Sequence, residues 1–247
     1  MNNTGKPAVF YHYVIIDDLR SCFWSYWLDE QLGMIEKSGL NKHADIYMTI
    51  TMPCNWETDG KQIQIIRNKT HEPCLFVDKV IEYLNYRFPW ACILTIRDIG
   101  EQPNLFEGLT LNQMWHFSKT NPDRPVAYVH AKGIFSVSPQ VKLWRELLNE
   151  FHINQWRQRL YDLSGGYDVI GMADATTPLD TPTHVSGNFF WSHTNYISSL
   201  PEPIYVDPHV GNRIRYEYEK WIMLNNPIIN FAYNTGIDHF KDYPNEP

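Results

Sequence analysis

Ala8-Val9-Phe10-Tyr11-His12-Tyr13-Val14-Ile15-Ile16 is the stretch that decides the fold class. It is short, β-branched and aromatic, and it reads as a strand buried on both faces. A helix follows over Phe23 to Lys37, with apolar positions at Trp24, Trp27, Leu28, Leu32 and Ile35 and a glycine stop in Ser38-Gly39-Leu40. Ala44 to Met52 reads as a second strand, ended by Pro53, and Ile63 to Ile66 as a short one. The alternation continues with a helix over Leu75 to Tyr86, a strand over Ala91 to Ile96 and a helix over Thr110 to Ser118. Pro125 to Val129 is a strand running into His130-Ala131-Lys132-Gly133, and Leu143 to Leu163 keeps helical spacing. Beyond it stand strands at Tyr167 to Met172 and Asn188 to Trp191, and helices at Asn195 to Leu200 and Glu217 to Leu224. The tail from Gly236 is polar and expected to be loosely held. Strands that alternate with helices predict an α/β/α sandwich with a mostly parallel central sheet, in a single domain over 1–247. Ligands of such sheets sit beyond the carboxyl ends of the strands. That draws attention to His12, Tyr13, Asp98, His130, Lys132 and Asp174.

Composition narrows the class. Of 247 residues, 43% are hydrophobic and 20% charged, enough for a core and too apolar for a disordered chain. Aromatic residues reach 15%, including nine Trp and fifteen Tyr, which fits a dense core or flat faces that stack on sugars. A net charge of −7 argues against a nucleic-acid partner, whose phosphates need Lys and Arg. No apolar run approaches the roughly 20 residues of a membrane span, and Met1 to Pro7 is no signal peptide. Cys22, Cys54, Cys74 and Cys92 form neither a CxxC pair nor a zinc spacing, so reduced thiols and a cytoplasmic location are expected. Asn68-Lys69-Thr70 reads as a chance sequon. Dinucleotide, Walker, GxSxG and HExxH motifs are all missing, which disfavours the enzymes that use them.

Three segments taken in order are distinctive: Ala127-Tyr128-Val129-His130-Ala131-Lys132-Gly133, then His184-Val185-Ser186-Gly187-Asn188-Phe189-Phe190-Trp191, then Arg215-Tyr216-Glu217-Tyr218-Glu219-Lys220-Trp221-Ile222. Trp144-Arg145 and Asp168-Val169-Ile170-Gly171 stand between the first two. The order resembles glycosyltransferases with a GT-A-like (Rossmann-like) fold, found in large DNA viruses and in bacterial surface-polysaccharide clusters. The resemblance implies a nucleotide-sugar half over about 8–135 and an acceptor half over about 136–235. It implies a UDP- or GDP-sugar donor, a glycan or glycoprotein acceptor and, for a viral chain, the host cytoplasm. GT-A enzymes usually hold Mn²⁺ or Mg²⁺ with Asp-x-Asp; here His130-Ala131-Lys132 stands at that place, and the metal is left open.

Sugar transfer requires stabilisation of a leaving diphosphate, removal of a proton from the acceptor, and alignment of both. Lys132 beside Gly133 suits the diphosphate, and His130 a phosphate or a metal. Glu219 and Asp174 are the candidate bases of an inverting transfer. His12, Tyr13 and Asp98 fall where the donor nucleotide is expected, and His184, Ser186, Gly187, Asn188 and Trp191 where a sugar or acceptor is expected. Each has a plainer alternative, such as turn, helix face or core. Trp191 and Trp221 in particular suit buried packing. Two rival functions remain: a non-catalytic carbohydrate-binding protein, and a metal-dependent hydrolase built from His130, His184, Asp98 and Asp174.

Overall fold

The computed structural model describes residues 5–15, 23–52, 56–58, 63–65, 75–98, 107–131, 138–173, 184–203 and 213–234. In chain order the first half carries β1 (Ala8–Val14), α1 (Phe23–Lys37), α2 (Leu40–His43), β2 (Asp45–Met52), β3 (Trp56–Thr58), β4 (Ile63–Ile65), α3 (Leu75–Arg87), β5 (Ala91–Asp98), α4 (Gly108–Thr120) and β6 (Pro125–His130). The second half carries α5 (Pro139–Asn149), a π turn (Glu150–Asn154), α6 (Trp156–Ser164), β7 (Val169–Ala173), a 3₁₀ turn (Ser186–Asn188), β8 (Phe190–His193), α7 (Thr194–Ser199), α8 (Arg213–Trp221) and β9 (Ile229–Asn234).

Seven described strands form one sheet in the order β5-β2-β1-β6-β8-β7-β9, and β3 pairs with β4 in a separate antiparallel ribbon. Within the large sheet β8 runs antiparallel to both neighbours; the other described pairs are parallel. The expected fold class is therefore present. Because side chains alternate along a strand, β1 feeds two cores. Val9, Tyr11 and Tyr13 pack with α1, α3, α5 and α6 on one face. Ala8 and Phe10 pack with α4, α7 and α8 on the other. Each buried large side chain adds roughly 1.5–3 kcal/mol.

Two expectations need correction. The helix read over Leu143 to Leu163 begins at Pro139, behind Ser138, and is broken by the π turn at Glu150–Asn154. Strand β9 falls in a stretch where no element was expected.

The sheet order also locates the ligand edge. From β1 the chain builds outward to β2 and β5, then returns to place β6 on the other side of β1. The crevice outside the carboxyl ends of β1 and β6 is thus the topological switch point, where open α/β sheets bind ligands. His12 and His130 are register partners at that edge.

Candidate functional site

A polar row crosses the sheet just inside this edge. Thr95, Thr49, His12 and His130 are successive register partners on β5, β2, β1 and β6. Helix α4 covers the row with residues spaced by three, which share one helix face. Thr110 Oγ1 lies 2.9 Å from His12 Nδ1, Gln113 Nε2 donates to Thr95 Oγ1 at 2.7 Å, and Thr49 Oγ1 donates to Gln113 Oε1. The third member of the face is Glu107, buried at the N-cap of α4, whose carbonyl accepts the backbone N–H groups of Thr110 and Leu111. A carboxylate is favoured there by the helix dipole. Glu107 Oε1 stands 3.6 Å from His130 Nε2.

The turn before β8 closes onto the same group. His130 Nε2 donates to the Gly187 carbonyl at 2.7 Å, so this nitrogen carries the proton. Asn188 Nδ2 donates to Glu107 Oε2. Gly187 has φ 67°, and a Cβ there would lie 2.5 Å from Leu148 Cδ1, so both conformation and space require glycine. Ser186 Oγ accepts from Trp144 Nε1 at 3.2 Å. Gly108, the first residue of α4, is packed against the Tyr218 ring of α8, where a Cβ would collide. The charge of Glu219, the neighbour of Tyr218, is the smallest of the influences that raise the Tyr128 hydroxyl, after burial and Glu107.

Burial sets the protonation states. The buried His12 is pulled from 6.5 down to about 3 by desolvation, which His130 assists and Glu107 opposes, so it is neutral at pH 7. Burial, reinforced by Glu107, pushes the Tyr128 hydroxyl well above its usual value. His152 is held well below its usual value by burial and by Arg159.

The residues singled out from sequence divide accordingly. His130 and Asn188 contact Glu107, His12 is the register partner of His130, and Ser186 and Gly187 belong to the turn that closes on His130. His184 is half-buried just ahead of the turn. Tyr13 does not join them. Neighbouring strand residues face opposite ways, and Tyr13 points to α1, where its hydroxyl donates to the Trp24 carbonyl at 2.7 Å. Trp191 is fully buried and donates to the His152 carbonyl at 3.0 Å, which leaves no ring face for a sugar. Trp221 is likewise buried and donates to the Pro201 carbonyl. Small Gly187 admits Leu148 rather than an open approach. Asp98 ends β5, three strands from β6 and so about 14 Å across the sheet from His130. The quartet required by the hydrolase reading is therefore not assembled around that pair. The Asp98 side chain, Lys132, Gly133 and Asp174 lie outside the described residues.

A divalent ion, which the resemblance raises, finds no seat among the described residues. No three His, Cys, Asp or Glu side chains gather there. His130 Nε2 is committed as a donor and one Glu107 oxygen to Asn188.

Glu107 itself escaped the sequence reading, because it lies in none of the three motifs. One signal was available: apolar parallel strands carrying His12, Thr49, Thr95 and His130, and a helix start carrying Glu107, Thr110 and Gln113 in step. Polar residues at one depth of a buried sheet require a polar partner above them.

The model of a family described as a domain of unknown function, DUF8361, matches residues 10–241. The chain belongs to the DUF8361 family. That match takes in all three motif segments together with Glu107. No curated protein matches this DUF8361 chain. It is also similar to a crystal structure described as a "putative nucleotide-diphospho-sugar transferase from Desulfovibrio desulfuricans G20", at 9% identity and a TM-score of 0.35, over 93% of this chain and 80% of that one. No described helix is long and apolar enough to cross a membrane.

Proposed function

We propose that the chain is a glycosyltransferase that moves a hexosyl or deoxyhexosyl group from a UDP- or GDP-sugar to a glycan or glycoprotein acceptor, with inversion. The observation that carries this reading is convergence. The end of β6, the 186–188 turn and α8 belong to the three motif segments on which the resemblance rests. They meet at the switch point through the His130–Gly187 hydrogen bond, the Asn188–Glu107 bond and the packing of Tyr218 against Gly108, the residue next to Glu107.

In this reading Lys132, which follows the β6 edge in sequence, neutralises the leaving diphosphate, and Glu219 takes the acceptor proton, with Asp174 as its rival. His184, Ser186 and Gly187 shape the sugar side, and Asp98 flanks the nucleotide half. The test is release of UDP or GDP from a panel of sugar nucleotides in the presence of glycan acceptors. Lys132→Ala is expected to lose nucleotide affinity. Glu219→Gln is expected to keep that affinity and lose roughly 10²–10⁴-fold in kcat, the worth of a general base. Equal donor turnover with and without acceptor overturns transfer in favour of hydrolysis.

A further inference from the structure

Glu107 does more than fill a cap. A carboxylate only accepts hydrogen bonds, so the Asn188 amide beside it must turn its NH₂ group toward Glu107. The amide oxygen is thereby fixed on the opposite side. Asn188 Oδ1 is buried and has no partner among the described residues, and the same holds for His12 Nε2. Glu107 and His130 are themselves buried, at 6% and 5% exposed, and the row becomes partly exposed at Gln113 and Thr95. A buried acceptor left unmatched costs about 1–3 kcal/mol, so this one calls for a donor. A hydroxyl supplies a donor, whereas an ionised phosphate oxygen does not. The negative charge of Glu107 also disfavours phosphate on this side of the crevice.

We infer that Glu107 is a positioning residue that locks Asn188 with its amide oxygen facing a hydroxyl of the donor. The hydroxyl-bearing part of the sugar nucleotide lies on the α4 side, and the charge of Glu107 keeps the diphosphate away from it. This rests on the glycosyl-transfer reading. The hydroxyl belongs to the sugar or to the ribose, and the probes separate the two.

Glu107→Gln replaces the carboxylate by a group that both donates and accepts, which frees the Asn188 amide to turn over. Asn188→Asp sets two carboxylates face to face, and the position tolerates Asp because its φ of 55° is within reach of Asp. The double variant E107Q/N188D restores one donor–acceptor pair with its polarity reversed and again presents an acceptor oxygen. Binding of pyrophosphate, UDP and UDP-glucose, and of GDP and GDP-mannose, is measured by calorimetry on the full chain. Melting temperatures confirm folding of each variant.

E107Q is expected to leave pyrophosphate unchanged and to weaken the hydroxyl-bearing probes about tenfold, on the order of one buried hydrogen bond. Loss with both the nucleotide and its sugar ester assigns the ribose, and loss with the sugar ester alone assigns the sugar. E107Q/N188D is expected to recover the affinity. N188D alone should melt higher as pH falls from 8 to 5.5, because two facing carboxylates share a proton, while the double variant stays flat. Equal losses for pyrophosphate and UDP-glucose, no loss in E107Q, or no recovery in the double variant overturns the inference while leaving the transfer reading standing. A wild-type protein that binds no nucleotide overturns both.

Discussion

Acid should unfold this protein through His12, with a slope set by its burial. The folded imidazole is depressed from 6.5 to about 3, so between those values the unfolded chain binds a proton that the folded chain refuses. The His12 contribution is complete above pH 6.5 and is lost as pH falls toward 3. Each pH unit in that window costs about 1.4 kcal/mol, which amounts to about 2 kcal/mol by pH 5. For a domain of this size that lowers Tm by about 4–8 °C. His152, also depressed by burial, adds in the same direction. Asp45 is raised by burial but held low by hydrogen bonds from Lys6 and Arg124. Its contribution is present above its ordinary 3.8 and fades only below that, outside the range measured. The assay is chemical denaturation of wild type and His12→Asn from pH 7.5 to 5. Asparagine keeps a hydrogen-bonding group near Thr110 and carries no titrating nitrogen. The wild-type slope should exceed that of the variant by about 1.4 kcal/mol per pH unit below pH 6.5. Parallel slopes would refute the placement of His12 as a buried neutral imidazole.

Two further outcomes are expected from packing. Gly187→Ala combines a left-handed backbone, about 1–2 kcal/mol, with a Cβ 2.5 Å from Leu148, about 1–3 kcal/mol, and should lower stability by about 2–5 kcal/mol in denaturant melts. Trp191→Phe removes buried volume and the donor to the His152 carbonyl, and should cost about 2–3 kcal/mol. Nucleotide-sugar affinity per folded molecule should be unchanged in Trp191→Phe, and a loss there would restore the stacking role to Trp191.

Local chemistry made most of the scaffold legible. The β-branched run at Ala8–Val14 and the strands at Asp45–Met52 and Pro125–His130 carry their burial in their composition. Strand β9 was missed because Ile229, Phe231 and Tyr233 alternate with Asn230 and Asn234 straight after Pro227, and turn residues mask the period of two. The π turn left one trace, a spacing of five between Phe151 and Trp156 where an α-helix keeps three or four, and the regular helical spacing on either side outweighed it. At the site, His12, His130 and Asn188 were legible because strand ends and a glycine turn single them out. Tyr13 was misplaced because proximity in sequence says nothing of the face until register is known. Glu107 needed the sheet order, since only the return of β6 beside β1 brings the start of α4 over both histidines.

The central claim is a donor site at the β1–β6 switch point. Its most direct test is thermal stability against UDP, GDP and their sugar esters, each with and without Mn²⁺. A ligand at 100 times its Kd adds about 2.7 kcal/mol, or roughly 5–10 °C in Tm. The account predicts such a shift with one nucleotide family in wild type and its loss in Lys132→Ala. Unchanged melting across the whole panel would contradict it.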